Sequence, residues 1–276
     1  MINLKTINFL KFDAEKKEEL RLNIIVILKQ TFDTEEKISI ANGEVSENGV
    51  NFIINPYDEY ALEEAIKLKE ENGGEVTVIS VGPQRVESSL RVALAMGVDK
   101  AILVDDESLF GDEYTISNVL ASIIKGKEYD LIIAGNMSVD NGSGQVAQRL
   151  AELLDINHVG TVTKLTIDSG KAVVERDAEG NSEIIEASLP LLLTAQQGLN
   201  EPRYPSLPGI MKAKKKPIDH ITASDLGVTA EEIKSQTLVT DLFLPAKKSA
   251  GKVLEGEIQE QVQELVQLLR AEAKVI

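Results

Sequence analysis

The strongest constraint on the fold is a regular alternation of strand-like and helix-like segments that begins at Asn23. Residues 76–81, 101–104 and 131–134 are short, mostly apolar and rich in β-branched or aliphatic side chains. Each is followed by a segment whose apolar residues recur at helical spacing. Nearly continuous apolar strands alternating with helices are typical of a parallel sheet that is covered on both faces. We therefore predict an α/β fold with a doubly wound, mostly parallel sheet.

The first helix has a clear predicted start. Asn55 suits the N-cap position, Pro56 the first helical position and Asp58 the positive end of the helix dipole. The polar stretch ahead of this helix contains Asn42-Gly43, which is typical of a two-residue hairpin turn.

The pattern changes after Gly160. Three short alternating segments predict a small antiparallel meander, with turns at Ser169-Gly170 and Gly180-Asn181. The chain then runs through an extended arm to residues 258–274, whose apolar side chains recur at helical spacing. Such a terminal helix either packs on its own domain or contacts a partner subunit. We divide the chain into a nucleotide-binding α/β domain over 23–218 and a C-terminal arm and helix over 219–276.

A glycine-rich loop over residues 135–146 follows the strand at 131–134 and leads into a helix. Ligands of open α/β sheets bind beyond the carboxyl ends of the strands, where helix N-termini offer free N–H groups. Glycines here allow a phosphate to approach the backbone closely. The segment fits the loose pattern G-x-G-x-x-A, but a glycine-rich turn without a ligand has the same composition. No G-x-x-x-x-G-K-[ST] is present, so we do not expect triphosphate hydrolysis.

A buried-looking apolar run at 191–195 opens the segment over residues 193–217 and gives way to a loop that is punctuated by prolines and ends in four lysines. Because proline fixes φ and removes a backbone donor, we expect neither helix nor central strand here. Leu207 lies between Pro205 and Pro208 and would be held out in solvent. The segment is either a docking loop or an ordinary connector.

Composition excludes several function classes. The chain has no cysteine, which excludes thiolate catalysis, and its two histidines are too few to favour a histidine-based metal site, so we expect no metal. Neither G-x-S-x-G nor H-E-x-x-H occurs, and we expect no catalytic residues. The net charge of −16 opposes nucleic-acid binding, and no run of 18 apolar residues predicts a membrane span. We expect a cytoplasmic protein.

The segment 1–22 lacks the apolar core of a secretion signal. Lys-Glu-Glu at 17–19 can be encoded by a ribosome-binding sequence, and Leu22 by an alternative bacterial start codon. We therefore expect this extension to be a start-site artefact, and the intact mass of the natively expressed protein tests that expectation.

Several motifs, in order, closely resemble the beta subunit of electron transfer flavoprotein. They include Asn55-Pro-Tyr-Asp58, Ala93-Leu-Ala-Met-Gly97, Val174-Glu-Arg-Asp177, Leu199-Asn-Glu-Pro-Arg-Tyr204 and Leu207-Pro-Gly-Ile-Met-Lys212. The resemblance extends from about Asn23 to the C-terminus. It implies a Rossmann-like fold of the adenine-nucleotide-binding type in an αβ heterodimer. In that family one redox FAD is held mainly by the alpha subunit, and the beta subunit binds AMP.

The resemblance also implies site residues. Those for AMP are Ile27, Asn55, Pro56, Tyr57, Asp58, Val81, Gly135, Asn136, Met137, Ser138, Val139, Asp140, Asn141, Gly142, Ser143, Gly144, Gln145 and Val146. The recognition loop becomes residues 195–217, with Leu207 anchoring acyl-CoA dehydrogenases and Lys212 and Lys215 beside it. Asp177 matches an acid thought to influence the mobile flavin domain.

The family's electrons leave through a quinone-linked oxidoreductase in fatty acid β-oxidation, and the flavin does the chemistry. Flavin-bifurcating relatives bind a second FAD in place of AMP and carry Asp-Thr-Ala-Gln in the phosphate loop. The corresponding residues here are Gly142-Ser-Gly-Gln145, which favours AMP. A stand-alone nucleotide-binding regulator of the universal-stress type is the alternative from another class.

Overall fold

The computed structural model describes residues 21–229, 231–247 and 250–276, which form two compact units. The first unit contains residues 21–37 and 47–239, and the second contains 38–46 and 240–276. Nearly all of the predicted N-terminal extension lies outside the described residues. The first unit continues past residue 218, because residues 219–221 add a strand to its sheet and Ile233 is buried.

The first unit is built on one sheet of nine strands. They are β1 (Leu22–Ile27), β6 (Gly74–Val81), β7 (Lys100–Val104), β8 (Leu131–Gly135), β9 (Asn157–Asp168), β10 (Lys171–Ala178), β11 (Asn181–Ser188), β12 (Leu191–Ala195) and β13 (Asp219–Ile221). Their order across the sheet is β11-β10-β9-β12-β8-β1-β6-β7-β13. Two further strands, β2 (Gln30–Phe32) and β5 (Phe52–Ile54), pair with each other.

Six helices belong to the same unit: α1 (Pro56–Asn72), α2 (Glu87–Met96), α3 (Glu113–Ile124), α4 (Val146–Leu154), α5 (Leu207–Ala213) and α6 (Ala223–Leu226). Side chains of β1 alternate between the two faces of the sheet. Ile24 and Val26 pack with α1 and α2, whereas Ile25 packs with α3 and α4. Two apolar cores therefore lie on opposite faces of a mostly parallel sheet, which confirms the predicted fold class.

The predicted antiparallel meander is present as β9, β10 and β11. It continues the main sheet, because β9 also pairs in parallel with β12. The second turn differs by one residue from the prediction. Its central residues are Glu179 and Gly180, both with positive φ, because Asn181 already pairs with Ala178.

The prediction that residues 193–217 cannot form a helix is wrong, because α5 begins at Leu207. Pro208 falls in the first helical turn, where a missing N–H costs nothing. The Oγ of Ser206 caps the helix by accepting the N–H of Gly209 at 3.1 Å. Gly209 lets α5 approach α2 closely, since a Cβ atom there would meet the carbonyl oxygen of Ala95.

The second unit contains a hairpin of β3 (Ile40–Ala41) and β4 (Glu44–Val45), and the helix α7 (Ile258–Leu268). Asn42 and Gly43 have φ of 55° and 81°, which confirms the predicted two-residue turn. Helix α7 buries none of its residues, and one π-helical turn, Leu269–Ala273, follows it. Across the described ranges, no helix is long and apolar enough to cross a membrane.

Candidate functional site

A cavity of about 650 Å³ opens at the carboxyl ends of β1, β6 and β8. The chain proceeds from β1 to β6 and β7 on one side, then crosses to β8 on the other side of β1. Such a reversal of strand order leaves a crevice at the edge of the sheet. The inner wall of the cavity is apolar and is formed by Ile27, Val81, Ile116, Leu120, Ala134 and Leu150.

The loop that follows β8 is held over the cavity by Asn55. The Nδ2 of Asn55 donates to the carbonyl of Met137 at 2.9 Å, and its Oδ1 accepts the N–H of Val139 at 3.0 Å. Asn55 occupies the N-cap position of α1, as predicted, but its side chain makes no capping hydrogen bond. The NH2 and the oxygen of its side-chain amide both bond to the loop instead, which is therefore tied to the start of α1.

Asp58 joins the ends of the two central strands. Its Oδ2 accepts the N–H of Lys29 at 2.6 Å, and its Oδ1 accepts the N–H of Gly135 at 3.0 Å. Burial raises the pKa of Asp58 to about 7, although the N–H groups of Lys29 and Gly135 and the side chain of Asn55 oppose this rise. The carboxyl group positions the backbone that lines the cavity.

An ion pair closes the loop from the other side. The Nζ of Lys29 lies 2.7 Å from Oδ2 of Asp140 and 3.4 Å from Oγ of Ser138. Burial raises the pKa of Asp140, but the hydrogen bonds from Lys29 and Ser138 and the charge of Lys29 outweigh it, so the pKa is lowered overall. The Oδ1 of Asn141 accepts the Oγ–H of Ser138 and the N–H of Ser143, at 2.8 Å and 3.2 Å.

The loop ends at the N-terminus of α4, which points its free N–H groups at the cavity edge. Its N-cap residue, Gln145, makes no side-chain capping bond. Gly142 and Gly144 have φ of 65° and 57°, and a Cβ atom at Gly144 would lie 3.2 Å from the carbonyl oxygen of Asn136. A helix N-terminus approached by a glycine-rich loop favours an anion such as phosphate.

A segment near the end of the first unit forms the remaining wall. Asp112 caps α3 and also accepts the N–H groups of Gln236 and Thr237 at 2.7 Å and 2.9 Å. Burial alone would raise the pKa of Asp112, but hydrogen bonds from Thr115, Thr237 and Gln236 lower it to about 2. The ionised carboxylate thus fixes residues 236–237, and Thr237 and Val239 line the cavity.

The segment that carries α5 is anchored on α1. Arg203 forms a bidentate pair with Glu63, at 2.9 Å and 3.0 Å, and a second with Glu70, at 2.7 Å and 2.9 Å. Asn200 donates to the carbonyl of Tyr60 and to Glu64, at 3.0 Å and 2.9 Å. Helix α1 therefore has two roles. Its N-terminus holds the glycine-rich loop over residues 135–146, and its later turns support the segment ahead of α5.

Replacing Arg203 by methionine is expected to lower the free energy of unfolding by about 2 kcal/mol, because the buried carboxylate of Glu63 would lose its cationic partner. Urea unfolding of both proteins measures this difference. The control variant is Glu70→Gln, which removes the exposed partner of Arg203 and should cost less than about 0.5 kcal/mol. Equal costs for the two variants would contradict the assignment of Glu63 as the main anchor.

Helix α5 presents apolar side chains to solvent. Leu207 is 79% exposed and Met211 is 70% exposed, whereas Ala213 is buried against the body of the unit. Lys212 and Lys215 are also exposed. Arg91 of α2 secures the end of the helix by donating to the carbonyl of Ala213 at 2.9 Å. A rigid support with exposed apolar side chains fits a docking element better than a connector.

Asp177 lies elsewhere, near the carboxyl end of β10. Its side chain is exposed, and it borders an open polar depression with Thr163, Ser182 and Gln196. Its carbonyl oxygen accepts the hydroxyl of Thr161 at 2.7 Å.

Comparisons with known proteins decide the family. A family model described as "Electron transfer flavoprotein domain" matches residues 42–226. The chain is also 56% identical over 257 residues to "Electron transfer flavoprotein subunit beta" of Bacillus subtilis, across 92% of this chain and 100% of the relative.

The chain belongs to the electron transfer flavoprotein family.

Two other relatives extend the comparison. "Electron transfer flavoprotein subunit beta, mitochondrial" of Arabidopsis thaliana is 35% identical, over 92% of this chain and 100% of the relative. "Caffeyl-CoA reductase-Etf complex subunit CarD" of Acetobacterium woodii is 39% identical, over 85% and 92%. The resemblance found in the sequence motifs is therefore confirmed. Membership in the electron transfer flavoprotein family implies flavin-linked electron transfer and, for its beta subunits, an alpha-subunit partner.

Most residues that the resemblance to electron transfer flavoprotein implied for AMP lie around the cavity. Those that line it are Ile27, Asn55, Asp58, Val81, Gly135, Asn136, Met137, Ser138, Asn141, Ser143, Gly144, Gln145 and Val146. Five others do not line the cavity and belong to the loop or to the start of α1, namely Pro56, Tyr57, Val139, Asp140 and Gly142.

Sequence reasoning missed several lining residues. They include Lys29, Pro83, Phe110, Asp112, Glu113 and Thr237. Lys29 and Pro83 lie two residues after the ends of β1 and β6, so the strand-end rule could have found them. Nothing in the local sequence marks Thr237, whose position depends on Asp112, 125 residues earlier.

Proposed function

We propose that this chain is the beta subunit of a heterodimeric electron transfer flavoprotein that accepts electrons from acyl-CoA dehydrogenases and passes them to a quinone-linked oxidoreductase. One observation carries this proposal. The start of helix α1 holds the glycine-rich loop over the cavity, and the same helix anchors the segment ahead of the exposed helix α5. The redox FAD is held mainly by the alpha subunit and supplies the electron chemistry. This chain supplies binding surfaces and no catalytic residues of its own, and it works in the cytoplasm.

AMP is the proposed ligand of the cavity. The residues present fit it, because the apolar wall suits an adenine ring and the loop amides at the start of α4 suit one phosphate group. Gly135 lets the end of β8 pack against the start of α1, and Gly144 lets the loop fold closely onto the carbonyl of Asn136. Asn55 and Asp58 would hold this backbone in place when the nucleotide binds.

The proposed dehydrogenase contact is α5. Leu207 would enter an apolar pocket of the dehydrogenase, with Lys212 and Lys215 attracting acidic groups around that pocket. Its supports are the exposure of Leu207, the close packing of α5 on α2 and the anchoring of Arg203 on α1. Asp177 is proposed to influence the flavin domain of the alpha subunit, and the C-terminal arm and helix over 219–276 to contact that subunit.

A flavin-reduction assay tests the proposed function. The heterodimer of this chain and its alpha subunit is mixed anaerobically with an acyl-CoA dehydrogenase and its acyl-CoA substrate. The proposal predicts loss of the oxidised-flavin absorbance of the heterodimer, at a rate that depends on dehydrogenase concentration. A heterodimer whose FAD stays oxidised with acyl-CoA dehydrogenases of several chain-length specificities would overturn the assignment.

A further inference from the structure

The charged side chains that line the cavity are mostly acidic. Among the described residues that line it, Lys29 is the only lysine or arginine. Three acids line the same cavity, namely Asp58, Asp112 and Glu113. The phosphate would therefore depend on backbone N–H groups and the α4 dipole, with little help from cationic side chains.

The single cation is already paired. The Nζ of Lys29 lies 2.9 Å from Oδ1 and 2.7 Å from Oδ2 of Asp140. This contact with both carboxylate oxygens largely cancels the charge of Lys29 toward other anions. Asp140 therefore holds Lys29 on the loop and keeps it from serving a second phosphate group.

Glu113 brings a negative charge next to the glycine-rich loop over residues 135–146. Its Oε1 accepts the Nδ2–H of Asn141 at 3.1 Å, and the Oδ1 of Asn141 accepts the N–H of Ser143 at 3.2 Å. Only the side chain of Asn141 thus separates the carboxylate of Glu113 from the loop that leads into α4. Asp112 precedes Glu113 and is fully committed to capping α3 and fixing residues 236–237.

We propose that Glu113 and Asp140 restrict this cavity to nucleoside monophosphates. This inference rests on the proposed nucleotide site and states which nucleotides that site accepts. One phosphate group fits the amides at the start of α4, whereas each further group brings negative charge toward Glu113, and the described residues that line the cavity offer no second cation to balance it.

A refolding competition tests the proposal. The full-length chain is unfolded in guanidinium, freed of nucleotide, and refolded with its alpha subunit and FAD in an equimolar mixture of AMP, ADP and ATP without divalent cations. Nucleotides retained by the heterodimer are then released and quantified by chromatography. The wild-type protein should retain AMP over ATP by at least about tenfold, as one uncompensated charge contact predicts.

The test variants are Glu113→Gln and the double variant Glu113→Gln, Asp140→Asn. Glutamine keeps the acceptor for Asn141 and removes only the charge, so the ratio of ATP to AMP should rise several-fold, and by about tenfold in the double variant. Glu128→Gln makes the same charge change at the opposite end of β8 and should leave the ratio unchanged.

The possible outcomes distinguish a failure of the proposed specificity from a failure of the proposed nucleotide site. A merely structural role for the two acids would lower the retention of all three nucleotides alike, and an unchanged ATP to AMP ratio in Glu113→Gln would overturn the specificity proposal. Equal retention of AMP and ATP by the wild-type protein would also overturn it. If the wild-type heterodimer retains none of the three nucleotides, the proposed nucleotide site itself fails.

Discussion

Replacing Gly135 by alanine is expected to abolish nucleotide retention. A Cβ atom at this position would overlap Oδ1 of Asp58 and lie 2.7 Å and 2.8 Å from Cβ and the carbonyl carbon of Tyr57. Two of these atoms belong to the rigid start of α1, so the clash cannot be relieved by rotating a flexible side chain. The N-terminus of α1 must move away from β8.

That displacement would break two connections at once. The N–H of Gly135 would lose its bond to Asp58, and Asn55 would no longer reach the loop at Met137 and Val139. Overpacking of this kind typically costs 1–3 kcal/mol, roughly the range expected here for the free energy of unfolding. Nucleotide retention should fall further than stability, because the loop proposed to bind the phosphate loses its support.

The measurement is the nucleotide content of the purified heterodimer together with its urea midpoint. Gly251→Ala is the matched control, since no atom lies within 4 Å of a Cβ atom built there. It should keep both the nucleotide and the stability of the wild-type protein. A Gly135→Ala protein that retains nucleotide at the wild-type level would show that α1 does not hold the loop in place.

Replacing Leu207 by alanine is expected to slow electron uptake from acyl-CoA dehydrogenases by about thirtyfold in kcat/KM. The side chain is 79% exposed, so its loss leaves no cavity in the chain itself. Filling a partner pocket with a leucine contributes about 2 kcal/mol, which corresponds to that factor. The N-cap at Ser206 and the contact of Gly209 with α2 remain, so α5 should still form.

Flavin reduction at limiting dehydrogenase measures this effect, and the FAD content serves as the internal control. Leu207→Met should retain most of the rate, because methionine has a similar volume and adapts to apolar pockets. Ile184→Ala removes another exposed aliphatic side chain, on the edge strand β11, and should leave the rate unchanged. Wild-type kinetics in Leu207→Ala would remove this residue from the docking contact.

The sequence predicted those features that depend on local pattern. Strands that are apolar on both faces indicated the parallel sheet, and Asn42-Gly43 marked a hairpin turn that the structure contains. Proline was misread at Pro208, because a rule valid for helix interiors does not apply to the first turn.

Long-range contacts could not be predicted in the same way. Asn55 was correctly placed at the N-cap, but its side-chain partners lie 82 and 84 residues later in the chain. Lys29 and Asp140 are 111 residues apart, and Arg203 and Glu63 are 140 residues apart. No local pattern carries such pairings, so the sequence indicates which segments meet at the strand ends but not which side chains hold them.

The central claim is that the cavity at the carboxyl ends of β1, β6 and β8 binds a nucleotide as a fixed structural ligand and takes no second flavin. Denaturing the purified heterodimer and quantifying the released nucleotides tests this claim most directly. We expect one AMP for each copy of this chain and one FAD for each heterodimer. Two FAD molecules without AMP, or FAD alone, would contradict it.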